Sequence, residues 1–272
     1  FLSTAKELTM YPILSLFGFS FGTYGICCVI GGALAIWLAI RNGKRFQQDR
    51  FAMLEACVWA LIGGFLGAKL LYLLVSFSDI VEMFQTSGCN WDTISSLLEG
   101  GFVFYGGLLG GLAALLLYLH HFQLPYGVYL SSITPAVPLA HAFGRIGCFF
   151  AGCCYGIPYD PPIGICLKNA IGTAPTDIPL FPVQLLESGL DFLLAGLLQL
   201  CFRKRTRKTD VIPFYCIGYA GIRLFTACFR YDTDRGIYFG LATSEWISLA
   251  LAICGVLLLL VPSLRRKRAS HS

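Results

Sequence analysis

Three arginines are the side chains in this sequence with the clearest capacity for chemistry. Arg145 lies within the run from His141 to Gly156, which reads His-Ala-Phe-Gly-Arg-Ile-Gly-Cys-Phe-Phe-Ala-Gly-Cys-Cys-Tyr-Gly. Arg223 and Arg230 stand seven residues apart further along, about two helical turns, so we expect them to share one helix face. The planar guanidinium fork matches phosphate oxygens. Three converging guanidiniums would therefore make a phosphate site.

The same run contains Cys148, Cys153 and Cys154, which allow three interpretations. With His141 they offer the Cys3His set typical of zinc, although the spacing is not a standard zinc pattern and adjacent cysteines rarely both bind one metal. They could form a disulfide on an exterior face. They could also be small, polarisable residues that pack a loop. We favour packing, and expect no metal and no cofactor.

The composition indicates a membrane setting for these residues. The chain has 272 residues, of which 56% are hydrophobic and 13% are charged, and its mean hydropathy is +0.70. A soluble domain carries about 25% charged residues. The sequence thus predicts an all-α integral membrane protein, with a single transmembrane domain over 1–272, and excludes a soluble enzyme.

Seven apolar segments are long enough, or nearly long enough, to cross a bilayer, which takes about 20 residues. The fourth is the shortest, contains Pro135 and Pro138, and continues into the glycine- and cysteine-rich run, so we expect a broken or re-entrant segment there. The predicted spans are Pro12–Ile40, Phe51–Phe77, Gly101–Phe122, Gly127–Phe143, Phe181–Phe202, Val211–Phe229 and Phe239–Val261.

The basic residues between the spans predict the orientation. The loops Arg41–Arg50 and Arg203–Asp210, with the tail after Pro262, hold 13 of the 20 lysines and arginines. Such loops remain cytoplasmic. The loop Ser78–Gly100 has four acidic and no basic residues and is therefore expected outside. With seven spans, the N-terminus is then outside and the C-terminus is cytoplasmic.

Four cations lie in or beside spans, where a charge needs a partner. They are Lys69, Arg145, Arg223 and Arg230, and the acidic partners available are Glu55, Glu187, Asp191 and Glu245. One interpretation is that these charges pair only to hold helices together. The other is a cationic pocket near the outer leaflet, which would bind a phospholipid head group.

Two tyrosines precede glycines at the start of apolar segments. Tyr105 stands before Gly106-Gly107, and Tyr24 stands before Gly25. A phenol beside a thiol and a phosphate could donate a hydrogen bond or relay a proton, although its usual pKa of about 10 makes it a weak base. Either ring could instead be an interfacial aromatic, and the glycines could serve helix packing.

Several motifs occur together in an order that resembles the prolipoprotein diacylglyceryl transferase family. They are Tyr24-Gly25, the Phe-Tyr-Gly-Gly-Leu run at 104–108, Gly144-Arg-Ile-Gly147, Pro182-Val-Gln-Leu-Leu-Glu187 and the segment from Gly218 to Arg230. The resemblance implies a seven-helix enzyme of the bacterial plasma (inner) membrane. It implies transfer of the diacylglyceryl group from phosphatidylglycerol to the lipobox cysteine of a preprolipoprotein signal peptide, with release of glycerol 1-phosphate. The implied partners are these substrates and membrane lipids, with no nucleic acid.

The family's functional positions carry over in part. The resemblance places its essential arginines at Arg145 and Arg223, a further arginine at Arg230 and the last signature glycine at Gly156. At the position of Lys69, the family usually has an arginine. The chain departs from the family where Cys148 and Ala151 replace asparagines, Cys153 and Ala227 replace glutamates, and Tyr105 replaces a histidine.

The predicted chemistry follows from these positions. A thiolate must attack carbon, and cations must stabilise the phosphate that leaves. We assign Arg145 and Arg223 to catalysis together with Tyr105, and Arg230, Tyr24, Cys148, Cys153, Gly156 and Lys69 to substrate binding. The general base could be Tyr105, His141 or a cysteine thiolate. Nearby arginines would lower the pKa of such a thiol. The alternatives are a related head-group transferase with another acceptor, or a small-molecule transporter.

Overall fold

Helices make up most of the described chain, in agreement with the predicted fold class. The computed structural model describes residues 6–9, 12–16, 19–88, 90–99, 103–172, 174–204, 211–231, 237–238 and 240–269. The helices in these ranges are α1 (Thr23–Lys44), α2 (Arg50–Val75), α3 (Phe77–Ser87), α4 (Trp91–Glu99), α5 (Phe104–His121), α6 (Tyr126–Ile133), α7 (Ala136–Ala151), α8 (Val183–Lys204), α9 (Val211–Ala227) and α10 (Thr243–Ala269).

Four of the described helices, α1, α2, α8 and α10, are long and apolar enough to cross a membrane, and α9 is a shorter apolar helix. Their outward faces are apolar as well. Val29, Phe65 and Leu74 are 72%, 67% and 74% exposed. Exposed apolar surface on this scale is characteristic of contact with lipid. The protein is therefore an integral membrane protein with several spans.

The full count of seven spans stays a prediction. The third predicted span corresponds to α5, and the fourth is divided between α6 and α7. Pro135 stands at this break, and proline supplies no backbone N–H to continue a helix. The ends of two predicted spans, Gly101 and Phe239, and the 205–210 part of the second basic loop lie outside the described residues. The re-entrant geometry also remains a prediction.

The chain forms two compact units, of which the first comprises 1–42 and 130–272. Within it α7 packs on α8, α8 on α9, and α9 on α10. Short strands accompany these helices. Strand β1 (Lys6–Thr9) pairs in parallel with β4 (Ile165–Lys168), while β2 (Ile13–Leu16) pairs with β3 (Phe19–Gly22) and β5 (Ile237–Tyr238) with β6 (Leu241–Ala242), both antiparallel.

The second unit, 43–129, is built on the contact between α2 and α5. Asp49 caps α2 by accepting a hydrogen bond from the amide of Ala52 at 2.9 Å. Glycines let the two helices approach backbone to backbone, since a Cβ on Gly67 would overlap the carbonyl oxygen of Gly106. The prediction of one transmembrane domain stays a prediction.

Candidate functional site

One buried carboxylate, that of Glu187 on α8, lies close to all three predicted arginines. Its Oε1 accepts a hydrogen bond from Nη1 of Arg223 at 2.6 Å. Its Oε2 lies 3.2 Å from Nε of Arg145 and 3.9 Å from Nη1 of Arg230. The predicted convergence of the three guanidiniums is thus present in the first unit.

The arginine cluster is buried and rich in positive charge. Three guanidiniums face the carboxylate of Glu187. The side chain of Glu187 is only 1% exposed, and those of the arginines are 7–14% exposed. A charge in such surroundings is poorly screened and attracts an anion strongly. The cluster is therefore suited to binding an anionic ligand.

The geometry also leaves hydrogen-bonding capacity within the cluster. Among the described residues, Nε of Arg145 and Oε2 of Glu187 make no hydrogen bond although they lie 3.2 Å apart. Each guanidinium has several N–H donors, and one carboxylate can accept from only a few of them. The three guanidiniums therefore surround one point with N–H donors, and such an arrangement suits the oxygens of a phosphate group.

Different elements bring the three arginines together, and one of our predictions about them is wrong. Helix α9 ends at Ala227, so Arg230 does not share a helix face with Arg223. Arg230 instead forms an antiparallel bridge with Gly156, in the segment that follows α7. A turn at 228–229 ends the helix, and the bridge that follows holds Arg230 beside this segment, close to Glu187.

Gly156 allows that pairing by lacking a side chain. A Cβ at this position would overlap the carbonyl oxygen of Phe181 and lie 2.8 Å from that of Phe229. On either side of it, the amide of Ile157 donates to Phe229 at 2.9 Å and that of Tyr231 donates to Tyr155 at 3.2 Å. The structure thus gives Gly156 a positioning role next to Arg230, while direct substrate contact stays a prediction.

A histidine–carboxylate pair lies beside the arginine cluster. Nδ1 of His141 is 2.6 Å from Oδ2 of the fully buried Asp191. The ligand atoms of His141, Asp191 and Glu187 all lie within 4.8 Å of one another. The ring of Tyr219 contacts His141 edge to face, with centroids 5.4 Å apart. His141 is thus a base candidate that a neighbouring carboxylate orients.

The cysteines after Arg145 form a separate group in the same unit. The Sγ atoms of Cys148, Cys153 and Cys154 lie within 4.8 Å of one another, and all three thiols are free. His141 is not a member of this group, so the Cys3His set that the sequence allowed as one alternative is not present among the described residues. Arg145 and Arg230 lie close enough to Cys154 to interact with it electrostatically.

Tyr24, at the start of α1, packs against the backbone of α7 between the arginine and the cysteines. A Cβ on Gly147 would lie 3.0 Å from Cδ2 of Tyr24 and 3.2 Å from its carbonyl oxygen. Tyr24 is 48% exposed and close enough to Cys148 and Cys153 to interact with them electrostatically. Tyr24 therefore belongs to the same region as the arginine cluster.

Lys69 and Tyr105 belong to the second unit. Nζ of Lys69 donates a hydrogen bond to the carbonyl oxygen of Leu97 and lies 5.1 Å from the ring centroid of Tyr72. Tyr105 is half-buried in the first turn of α5. Their roles in binding and catalysis remain predictions.

Glu187 is one of four acidic residues that the sequence offered as partners, and nothing in the pattern distinguished it as the centre of the site. Glu55 accepts a hydrogen bond from Tyr118 at 2.9 Å, and Glu245 accepts one from the amide of Ala242 at 2.6 Å. The available signal was the spacing of Gln184, Glu187 and Asp191 on an apolar segment, because steps of three and four residues place them on one buried face.

Comparison with known proteins identifies the family to which this site belongs. The family profile described as prolipoprotein diacylglyceryl transferase matches residues 12–261. The chain belongs to the prolipoprotein diacylglyceryl transferase family. The match covers both α7 with its cysteines and the helices that contribute Glu187 and Arg223.

Individual members of the family show the same relationship over nearly full length. A phosphatidylglycerol–prolipoprotein diacylglyceryl transferase of Clostridium tetani is 35% identical over 259 residues, which is 95% of this chain and 100% of the relative. Phosphatidylglycerol–prolipoprotein diacylglyceryl transferase 2 of Clostridium perfringens is 31% identical over 255 residues, covering 93% of this chain and 95% of the relative. The membership confirms the resemblance drawn from the motifs.

Proposed function

We propose that this diacylglyceryl transferase family member moves the diacylglyceryl group of phosphatidylglycerol to the lipobox cysteine of a preprolipoprotein. A thioether forms and glycerol 1-phosphate leaves. The observation that carries the proposal is the buried arginine cluster, whose three guanidiniums suit the phosphodiester of the lipid and the phosphate monoester that departs. The two clostridial relatives are named phosphatidylglycerol–prolipoprotein diacylglyceryl transferases, which supports the same substrates.

The arginine cluster assists the reaction by stabilising charge on the leaving group. As the acceptor thiolate attacks the glyceryl carbon, the bond from that carbon to the phosphate oxygen breaks, and negative charge gathers on the phosphate. Arg145 and Arg223 bind those oxygens, and Arg230 supports them. Glu187 fixes the guanidiniums before the reaction, so that little reorganisation is needed at the transition state.

The remaining predicted residues act on substrate placement and proton transfer. Tyr24, Cys148 and Cys153 contact the substrates beside α7, and Gly156 keeps Arg230 in position. Lys69 contributes a further cation, and Tyr105 donates a hydrogen bond or relays a proton. His141, oriented by Asp191, is the alternative proton acceptor.

The membrane arrangement belongs to the same proposal. The protein lies in the bacterial plasma (inner) membrane with seven spans, its N-terminus outside and its C-terminus in the cytoplasm, as the basic loops indicate. The arginine cluster then opens towards the outer leaflet, where phosphatidylglycerol and a translocated signal peptide meet.

The direct test uses the purified full chain in detergent with phosphatidylglycerol labelled in its acyl chains. A lipobox peptide should acquire the label through a thioether, and a matched peptide with serine in place of the acceptor cysteine should not. Phosphatidylcholine should not replace phosphatidylglycerol. Release of the phosphorylated glycerol without labelled peptide would favour another acceptor, and the absence of both products from folded protein would refute the proposal.

A further inference from the structure

The three cysteines after Arg145 have the spacing of ligands to one metal ion. Their Sγ atoms all lie within 4.8 Å of one another. Thiolates bound to a single zinc ion at about 2.3 Å lie about 3.8 Å apart. Shifts of about 1 Å or less, which side-chain rotation supplies, would bring the three sulfurs to that spacing.

The backbone explains how two adjacent cysteines can face the same point. Gly152 ends α7 with φ 72°, and Cys154 has φ 57°, in the left-handed region that is uncommon for a residue with a side chain. Such conformations concentrate at functional sites. The turn they create lets Cys153 and Cys154 return towards Cys148 on the last turn of the helix.

A buried side chain from a neighbouring helix holds this turn. Nε2 of Gln184 on α8 donates to the carbonyl oxygen of Cys153 at 2.9 Å, and Gln184 is only 1% exposed. Residues that fix the ligands in this way are part of a typical metal site. The arginine cluster adds charge compensation, because Arg145 and Arg230 interact electrostatically with Cys154.

The group supplies three of the four ligands that a tetrahedral zinc ion takes. Within the described residues, its members are three cysteines, with no histidine or carboxylate beside them at the same spacing. Thiolates are soft ligands that select zinc or cuprous ions over magnesium or calcium. Zinc sites with three protein ligands keep the fourth position for water or substrate.

We propose that Cys148, Cys153 and Cys154 form a three-thiolate zinc site whose fourth position takes the acceptor thiol. The part concerning the acceptor rests on the proposed function. A coordinating thiol is deprotonated outright, which provides the nucleophile of a thiol alkylation without a strong base. This site would explain why the chain has cysteines at 148 and 153, where the family has asparagine and glutamate.

The step balances without an added oxidant or reductant. The acceptor thiol binds zinc and releases its proton to water. Its sulfur attacks the glyceryl carbon that carries the phosphate ester, so a carbon–sulfur bond forms as the carbon–oxygen bond breaks. The electron pair leaves on the glycerol phosphate, whose charge Arg145 and Arg223 stabilise.

Metal binding is tested first with cadmium as the probe, because cadmium thiolates absorb in the ultraviolet. The reduced, full-length protein in detergent should bind one cadmium ion with thiolate charge-transfer absorption, and added zinc should displace it. The Cys154→Ser variant and the triple serine variant should lose that band. Matched Cys166→Ser and Cys228→Ser variants, outside the group, should keep it. No band in the wild type, or an equal band in the triple variant, would overturn the proposal.

A second measurement tests the fourth position. A lipobox peptide with its cysteine should increase the cadmium thiolate absorption of the loaded protein, and the serine peptide should not. An unchanged spectrum with the cysteine peptide would overturn the assignment of the acceptor thiol.

Transfer assays separate this inference from the proposed function. If the triple variant, shown by thermal unfolding to be folded, transfers at the wild-type rate, the zinc site has no part in the reaction and the function stands. If the wild type binds cadmium with the expected spectrum but never modifies the peptide, the metal site stands and the proposed function fails.

Discussion

Glu187 is the side chain on which the arrangement of the arginine cluster depends. It contacts all three guanidiniums with a carboxylate that is 1% exposed. A buried ion pair contributes little net stability, but removing one partner leaves uncompensated charge in a poorly screened region. The residue therefore sets the geometry of the cluster more than it adds to stability.

This role predicts a marked effect of Glu187→Gln. Removal of one partner from a buried pair costs about 3–5 kcal/mol, so the variant should unfold at a clearly lower temperature in detergent. Phosphatidylglycerol should stabilise the variant more than the wild type, because the lipid phosphate replaces the lost negative charge. Glu82→Gln on the exposed face of α3 is the matched control. Equal melting temperatures for the Glu187→Gln variant and the wild type would contradict this role.

At the residue scale, the sequence predicted the identity of the cations better than the way they are assembled. The guanidinium fork and the cost of buried charge identified Arg145, Arg223 and Arg230 without coordinates. Their common contact with Glu187 depends on the packing of α7, α8 and α9, which no local pattern encodes. The end of α9 at Ala227 was missed because the apolar pattern continues to Phe229.

At the element scale, the segment after α7 determines where Arg230 lies. Its pairing with the chain after α9 needs close backbone contact at Gly156. Gly156→Ala should push the two segments apart and lower transfer at least about tenfold, since about 1.4 kcal/mol of lost transition-state stabilisation is a factor of ten. Gly189→Ala on α8, where a Cβ would meet nothing within 4 Å, is the control. The transfer rate measures both, and an unimpaired Gly156→Ala variant would show that this pairing is dispensable.

The α2–α5 contact is a second element whose geometry leads to a prediction. A Cβ on Gly67 would overlap backbone atoms of Gly106 and Gly110, whereas one on Gly64 would make only an ordinary contact 3.5 Å from Gly107. Backbone atoms cannot move aside as a flexible side chain can. Overpacking costs about 1–3 kcal/mol. Gly67→Ala should therefore lower the unfolding temperature in detergent clearly more than Gly64→Ala. Equal shifts for the two variants would contradict the close packing.

At the scale of the whole molecule, composition was sufficient for the class of protein but not for its spans. The low charge content predicted a helical membrane protein, and the described helices confirm that class. The break at Pro135, which divides the fourth predicted span into α6 and α7, shows why hydropathy alone could not give the helix boundaries. Hydropathy measures transfer into lipid and is insensitive to where a helix bends or ends.

The proposed orientation leads to a prediction for the whole chain. A fluorescent protein that matures only in the cytoplasm should be bright when fused after Ser272, and a phosphatase that is active only outside should be inactive there. The same phosphatase inserted in the acidic segment Ser78–Gly100, between α3 and α4, should be active. The reason is that 13 of the 20 basic residues lie in the loops assigned to the cytoplasm. The reverse pattern of reporter activity would contradict the orientation and the outer-leaflet site.

The most direct test of the account compares transfer from phosphatidylglycerol by Arg145→Lys, Arg223→Lys and wild-type protein. Lysine keeps the charge but loses the bidentate fork, and hydrogen bonds to charged groups contribute about 1.5–3 kcal/mol, so each variant should be slower by about ten- to a hundredfold. Arg203→Lys, an exposed change at the end of α8, should transfer at the wild-type rate. Near-wild-type rates for both Arg145→Lys and Arg223→Lys would contradict phosphate recognition by the arginine cluster.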